Sequence, residues 1–261
     1  MGSNFNIKKN SEIKNKNRLF YKSTFNFVFE QPSYWNAINT IVGGDLYLAY
    51  LESYKGELDC WLPFILKTEN KVTIVNSLPY FGSHGGPYGP NKDEYNNLIE
   101  QFFKYCNLKN FDSSFISLSI EASDLINEKI KSNYLTDFRI GQITTIPNFS
   151  ENIERDLFDS YHVKTRNAVR KGKCCKNASL LIDSNDDLFS EVIKIHQENI
   201  KVLGGIPKSK EHFDILRSFS GNEYKVRLAT YKVNNDIACA LISLITSKTY
   251  EYFTPVLNHN Y

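Results

Sequence analysis

Long apolar runs, metal-binding spacings and a strong charge of one sign are all missing from this chain. Its best apolar stretch, Ile237 to Ile245, is far short of the ~20 residues a helix needs to cross a bilayer. The opening residues MGSNFNIKKNSEIKNKNR are polar and rich in Lys and Asn, without the apolar core of a secretory signal. These absences lead to the expectation of a soluble, cytoplasmic protein whose basic N-terminus offers a peripheral contact for a membrane surface. Basic and acidic residues nearly balance, 31 against 29. That excludes a general nucleic-acid coat but leaves room for a local anion site. The cysteines Cys60, Cys106, Cys174, Cys175 and Cys239 are odd in number and contain no C-x-x-C pair. They read as reduced thiols, with Cys174 and Cys175 on an exposed turn or in a reactive basic setting. No H-x-x-x-H or H-E-x-x-H pattern occurs, so no metal site is expected. G-x-S-x-G and G-x-x-x-x-G-K-[ST] are absent too, which removes the nucleophile elbow and the P-loop from consideration.

What is present is a strand module written twice. LAYLESYKGELDCWLPFILKTENKVTIVNS runs from Leu48 to Ser77, and LATYKVNNDIACALISLITSKTYEYFTPV from Leu228 to Val256. Each is an apolar strand, a polar turn, a second apolar strand, another turn and a third strand. Cys60 and Cys239 occupy corresponding places. The duplication implies two lobes, 1–148 and 149–261, with a cleft between them. In the first lobe the spacing predicts a strand at FNFVF, a helix over 35–42, strands at 46–54, 58–66 and 72–75, a helix bearing Leu98, Ile99, Phe102 and Cys106, a strand over 114–120 and a helix near 124–132. FRIGQITTIPN reads as a closing strand and crossover, with Pro147 and Asn148 at the boundary. In the second lobe one helix spans about 150–171, followed by a strand, a helix bearing Leu188 to Leu203 with His196 inward, and a helix bearing Phe213, Leu216 and Phe219. Three strands complete the α+β order.

Two segments carry candidate chemistry. KTRNAVRKGKCCK, Lys164 to Lys176, has six basic residues in thirteen positions and no acid. Arg166 and Arg170 are four apart and share a helix face. Paired guanidinium forks clamp phosphate or carboxylate; a solvated helix end that completes the dipole is the equal alternative. LPYFGSHGGPYGP, Leu78 to Pro90, holds four Gly and three Pro. It is either a ligand-approaching loop whose following helix offers free N–H groups or a tight strand-to-helix connection. His84 is its one group able to act as a base near neutral pH, and a hydrogen-bonded loop histidine is the alternative. Tyr250, Glu251 and Tyr252 alternate on the last strand, so one face presents two phenols and the other a carboxylate, for a cleft or, as the favoured alternative, for sheet packing.

The order of these pieces resembles the FemAB-like branch of the GNAT acyltransferase superfamily, and most nearly its BioF2-like members. The residues that carry the likeness are SLPYFGSHGGPYG, KTRNAVRKG, HQENIKVLGGIP with KEHFDIL, and VRLATYKVNNDIACALISL. The resemblance implies two tandem GNAT-like lobes, each a mainly antiparallel sheet flanked by helices. It also implies an N-acyltransferase of cell-envelope glycan biosynthesis with acyl-CoA as donor and a phosphorylated or nucleotide-linked amino sugar as acceptor. The alternatives are an aminoacyl-tRNA-dependent enzyme of peptidoglycan bridges and an inactive remnant or binding module. No permanently bound cofactor is expected. Substrate contacts fall to Lys164, Arg166, Arg170, Ser83, Gly85, Gly86, Tyr88 and Tyr252, with His84 the candidate catalytic residue. Against the family pattern, the second lobe is expected to be incomplete after its third core strand.

Overall fold

The computed structural model describes residues 3–13, 27–78, 84–118, 120–137, 143–146, 152–183 and 185–259. The chain forms two compact units. One comprises Met1–Arg139, Glu211–Val226 and Leu244–Glu251; the other comprises Ile140–Lys210, Arg227–Ser243 and Tyr252–Tyr261. The division begins at Arg139/Ile140, ahead of residue 148, and two later segments cluster with the first unit.

A five-stranded sheet lies in the first unit, ordered β1 (Asn4–Lys9), β2 (Asp45–Glu52), β3 (Leu58–Glu69), β4 (Val72–Ser77) and β5 (Ser113–Ile116). Neighbours are antiparallel except β4 and β5, which are parallel. The polar N-terminal run, read from composition alone, supplies β1. Its Phe5 and Ile7 pack against the core, while Lys9 pairs with Asp45 at 2.7 Å; lysines suit an edge strand. Helix α1 (Pro32–Val42) starts on a proline at its first turn and ends at Gly43 in the left-handed region. Its Trp35 indole donates to the Phe29 carbonyl at 2.7 Å. Helix α2 (Tyr95–Leu108) lays Leu98, Ile99, Phe102 and Cys106 against Ala49, Leu51, Leu62, Phe64 and Val75. On the opposite face Leu48, Tyr50, Trp61 and Ile65 are buried, and α1 packs against the same two strands. Each such side chain contributes about 1.5–3 kcal/mol by leaving water.

Several boundaries differ from expectation. FNFVF is not a strand where it is described: Val28–Glu30 is a 3-10 turn, closed by the Glu30 carboxylate accepting from the Phe27 amide at 3.2 Å. Phe25 and Asn26 lie outside the described residues. β5 stops at Ile116 instead of reaching Ile120. The single helix expected near 124–132 is two, α3 (Ile120–Leu125) and α4 (Glu128–Asn133), because Asn127 breaks the run and caps the second through Ile130 N. Of the crossover, 138–142 and 147–151 lie outside the described residues, and 143–146 form no strand.

The second sheet is ordered β6 (Ala178–Ile182), β7 (Lys225–Val233), β8 (Asp236–Ile245) and β9 (Tyr250–Leu257), with β6 antiparallel to β7. Asn234 and Asn235, both at positive φ, make the two-residue turn between β7 and β8, which forces that pair antiparallel. The three-strand module therefore occurs twice, as β2-β3-β4 and as β7-β8-β9. The helix expected over 150–171 is α5 (Ile153–Ser160) and α6 (Val163–Lys173). His162 leaves helical geometry between them and its ring nitrogen accepts from the Lys164 amide at 3.3 Å. Gly172 thus falls inside α6, not after it. Helices α7 (Asp186–Val202) and α8 (Lys210–Ser218) match their periodicity, the former capped by Asn185 and followed by Gly204 at positive φ.

Backbone closeness is most acute at Gly85, where a Cβ would lie 2.0 Å from the Ser77 carbonyl oxygen. Gly221 has open space around it. Gly85→Ala is expected to cost more than about 3 kcal/mol in a urea titration, and Gly221→Ala less than about 0.5 kcal/mol.

Candidate functional site

The Gly-rich loop completes the first sheet instead of hanging free of it. Ser77 ends β4, and farther along the loop Tyr88 exchanges two backbone hydrogen bonds of 2.8 Å with Trp61 of β3. Asn91 follows with a bond to the Asp59 carbonyl at 3.0 Å. On the other flank the Gly85 amide donates to Ser117 O at 2.7 Å, and the Ser117 amide donates to the buried Ser77 hydroxyl at 3.0 Å. Gly85 therefore spends its N–H on the sheet. Gly86 sits at φ +116 and Gly89 at +132, the latter against the Cys60 backbone, conformations that favour glycine. The start of α2 is preceded by Asp93 and Glu94, which already supply the negative charge that a helix N-terminus attracts. Ser83 lies outside the described residues.

His84 is buried in an aromatic nest of the first unit. Its ring meets Phe29 edge-on at 4.9 Å, Phe27 at 5.3 Å and Tyr88 at 6.4 Å. The Tyr88 hydroxyl donates to the His84 carbonyl at 3.2 Å. Tyr34 touches the far edge of Phe29 at 5.3 Å and Tyr224 at 6.2 Å. Burial holds the phenols of Tyr34, Tyr88 and Tyr224 well above their ordinary pKa; neighbouring Tyr224 and Glu251 add to the effect at Tyr34. All three are neutral donors at physiological pH, not bases. Tyr224 gives its proton to the Leu216 carbonyl at 2.8 Å. The Tyr34 hydroxyl, fully buried, meets no hydrogen-bond partner among the described residues. Tyr34 and Tyr224 were missed in the sequence because both sit among apolar neighbours and read as core.

In the second unit, α6 brings Arg166 and Arg170 onto one side but engages them differently. Arg166 Nη1 donates to the carbonyls of Asp159 at 3.0 Å and Tyr161 at 2.6 Å, closing the C-terminal end of α5. Arg170 donates to the Asn167 side chain at 3.1 Å, and its guanidinium lies 5.1 Å from the Phe158 ring centroid. Lys173 pairs with Glu154 at 2.7 Å. Lys164 is exposed. Tyr252, also in this unit, is 66 % exposed on β9, with Tyr250 exposed and Glu251 half-buried, the alternation the sequence predicts.

A third cluster had no sequence motif. The Lys208 ammonium donates to the Thr254 hydroxyl at 3.0 Å and lies 4.8 Å from the Phe253 ring centroid. Gln197 on α7 donates to the Lys208 carbonyl at 3.2 Å. Burial lowers the Lys208 pKa to about 8. It also lowers that of buried His196 to about 4, with Lys208 adding repulsion. These residues are far apart in sequence, so only the fold assembles them. Among the described residues no group of three or more His, Cys, Asp or Glu could hold a metal ion, and no helix is long and apolar enough to cross a membrane.

No protein-family model matches the chain, and no curated protein matches it either. Among solved structures it is similar to FemX, with a TM-score of 0.53 and 14 % identity, over 81 % of this chain and 55 % of that one. The chain thus spans about half the length of FemX. The C-terminal domain of a protein described as a lysylphosphatidylglycerol synthetase from Agrobacterium fabrum aligns over 81 % of this chain and 61 % of its own, at 9 % identity and a TM-score of 0.38, too loose to argue from. At this identity the likeness to FemX establishes the fold alone, two sheets flanked by helices.

His196 makes stability pH-dependent. Its folded pKa of about 4 lies below the ordinary 6.5, so between those values the unfolded chain binds more protons and stability falls as pH falls. His196→Gln removes this contribution. Urea titrations are expected to show the parent losing about 2 kcal/mol more than the variant between pH 7 and 4.5; parallel losses would show that His196 is not the group responsible.

Proposed function

We propose that this chain is an N-acyltransferase that moves an acyl or aminoacyl group from an activated carrier to an amine. The FemX-like fold over 81 % of the chain is the observation that carries this reading. The first form of it takes acyl-CoA as donor and a phosphorylated or nucleotide-linked amino sugar of the cell envelope as acceptor, as in BioF2-like members. The second takes aminoacyl-tRNA as donor and builds a peptidoglycan bridge; the likeness to FemX favours it. In both, the acceptor amine attacks a carbonyl carbon, a C–N bond forms, and the C–S or C–O bond to the carrier breaks. The reaction depends on holding the two substrates in line and on donors aimed at the tetrahedral oxyanion.

The candidate roles follow from the contacts. Lys164 and Arg170 offer positive charge for an anionic substrate group, whereas Arg166 positions α6 by holding the end of α5. His84 is the titratable group of the aromatic nest and the candidate proton acceptor. Tyr88 fixes it through the His84 carbonyl, and Gly85 and Gly86 let the loop pass close to β4 and β3. Tyr252 presents an exposed phenol for substrate contact.

Mass spectrometry with acetyl-CoA or alanyl-tRNA and a UDP-linked amino sugar or its peptide-bearing form is expected to detect amide product with one of the donors. Failure of both donors with all acceptors, on folded protein, would overturn the reading. Arg170→Ala is expected to raise the acceptor KM about tenfold with unchanged thermal stability. Arg166→Ala should instead lose about 1–2 kcal/mol of stability through two lost hydrogen bonds to carbonyls.

A further inference from the structure

The second unit holds a half-buried amine that no step of the proposed transfer uses. Lys208 lies in the segment that follows the Gly204-Gly205 pair and leads into α8. Its side chain is neither extended into solvent nor sealed in the core. It is half-buried, with the amine donating to the Thr254 hydroxyl at 3.0 Å and the Phe253 ring 4.8 Å away on β9. Gln197 fixes its backbone from α7. His196, buried on the same helix, feels the nearby Lys208 charge; burial and that charge hold it neutral at physiological pH. Desolvation works against the ammonium form, and the hydroxyl holds the nitrogen in one place. Lys201, at the end of α7, and Lys210, at the start of α8, are both exposed.

We propose that Lys208 is an acyl-accepting residue, modified at its ε-amine by thioesters and other activated acyl groups. The lone pair of the neutral amine attacks the thioester carbonyl carbon. A C–N bond forms, the C–S bond breaks, the nitrogen gives up a proton to water, and the departing thiolate takes one. The product is a neutral amide, so the cation beside Phe253 and His196 disappears. No oxidant or further reactant enters. A folded pKa of about 8 supports this: at pH 7.5 about a quarter of Lys208 is free amine, against about a thousandth of an ordinary lysine. Its intrinsic nucleophilicity is lower in return, so the expected advantage is about tenfold rather than several hundredfold.

The test uses the full chain and a small thioester, S-acetyl-N-acetylcysteamine, which lacks the nucleotide of CoA and so does not depend on the transfer function proposed above. Acetylation at Lys201, Lys208 and Lys210 is followed by peptide mass spectrometry at pH 7.5. Lys208 is expected to react at least fivefold faster than either neighbour, and its rate to level off above about pH 9. The preference is expected to vanish in urea and to fall at least twofold in Thr254→Val, which keeps the side-chain volume and removes the hydroxyl. Equal rates at the three lysines in the folded chain, or a preference that survives in urea, would overturn the assignment.

Discussion

There is no room for a β-carbon at residue 85, and the first unit is arranged around that fact. Ser77 ends β4 with its hydroxyl turned to the Ser117 amide, and Gly85 returns to the same point with its own amide on Ser117 O. Two strands that run parallel thus meet a third segment where the ladder stops. The loop is then obliged to continue along β3, which it does through Tyr88 and Trp61. His84 is carried into the aromatic nest as a consequence, because the residue after it is pinned to the sheet. The loop, which the sequence offers as a ligand-approaching segment or a tight strand-to-helix connection, ties the end of the parallel strand pair to β3 through Gly85 and Tyr88.

The duplicated module was legible because strand alternation and turn chemistry are local. Asn234-Asn235 and Asn70-Lys71 are two-residue turns at positive φ, and such turns announce themselves by composition. The same local logic failed where a polar segment borrowed its partner from far away. β1 has only Phe5 and Ile7 to offer the core, and its six residues became a strand because β2 presents an open edge to it. The corresponding cysteines show that a repeat conserves position more readily than environment. Cys60 is wholly buried, Cys239 only half so, and burial raises the pKa of both thiols.

Candidate site residues divide along the same line. Arg166 and Arg170 share a helix face as the spacing requires, but spacing cannot say what a guanidinium already holds. The break between α5 and α6 was invisible in the charge pattern, and it is the break that creates the two carbonyls Arg166 serves. His84 was found because it stands in an unusual loop, whereas Tyr34, Tyr224 and Lys208 were not, because their neighbours in sequence are unremarkable for core or surface. The partners of Lys208 come from α7 and β9, Gln197 eleven residues before it and Thr254 forty-six after it. No window of sequence contains both.

The electrostatics of the nest bear on how an acyl transfer would run. Three phenols that burial keeps neutral can each give a hydrogen bond but cannot accept a proton from an ammonium ion. An amine nucleophile enters as the neutral base and gains positive charge as it attacks, so its proton must go to a group whose pKa lies near the working pH. Of the groups gathered in the nest, a histidine has that ordinary range and a tyrosine does not. Under the proposed transfer, burial leaves the phenols of the nest as hydrogen-bond donors, and His84 is the candidate proton acceptor of the first unit.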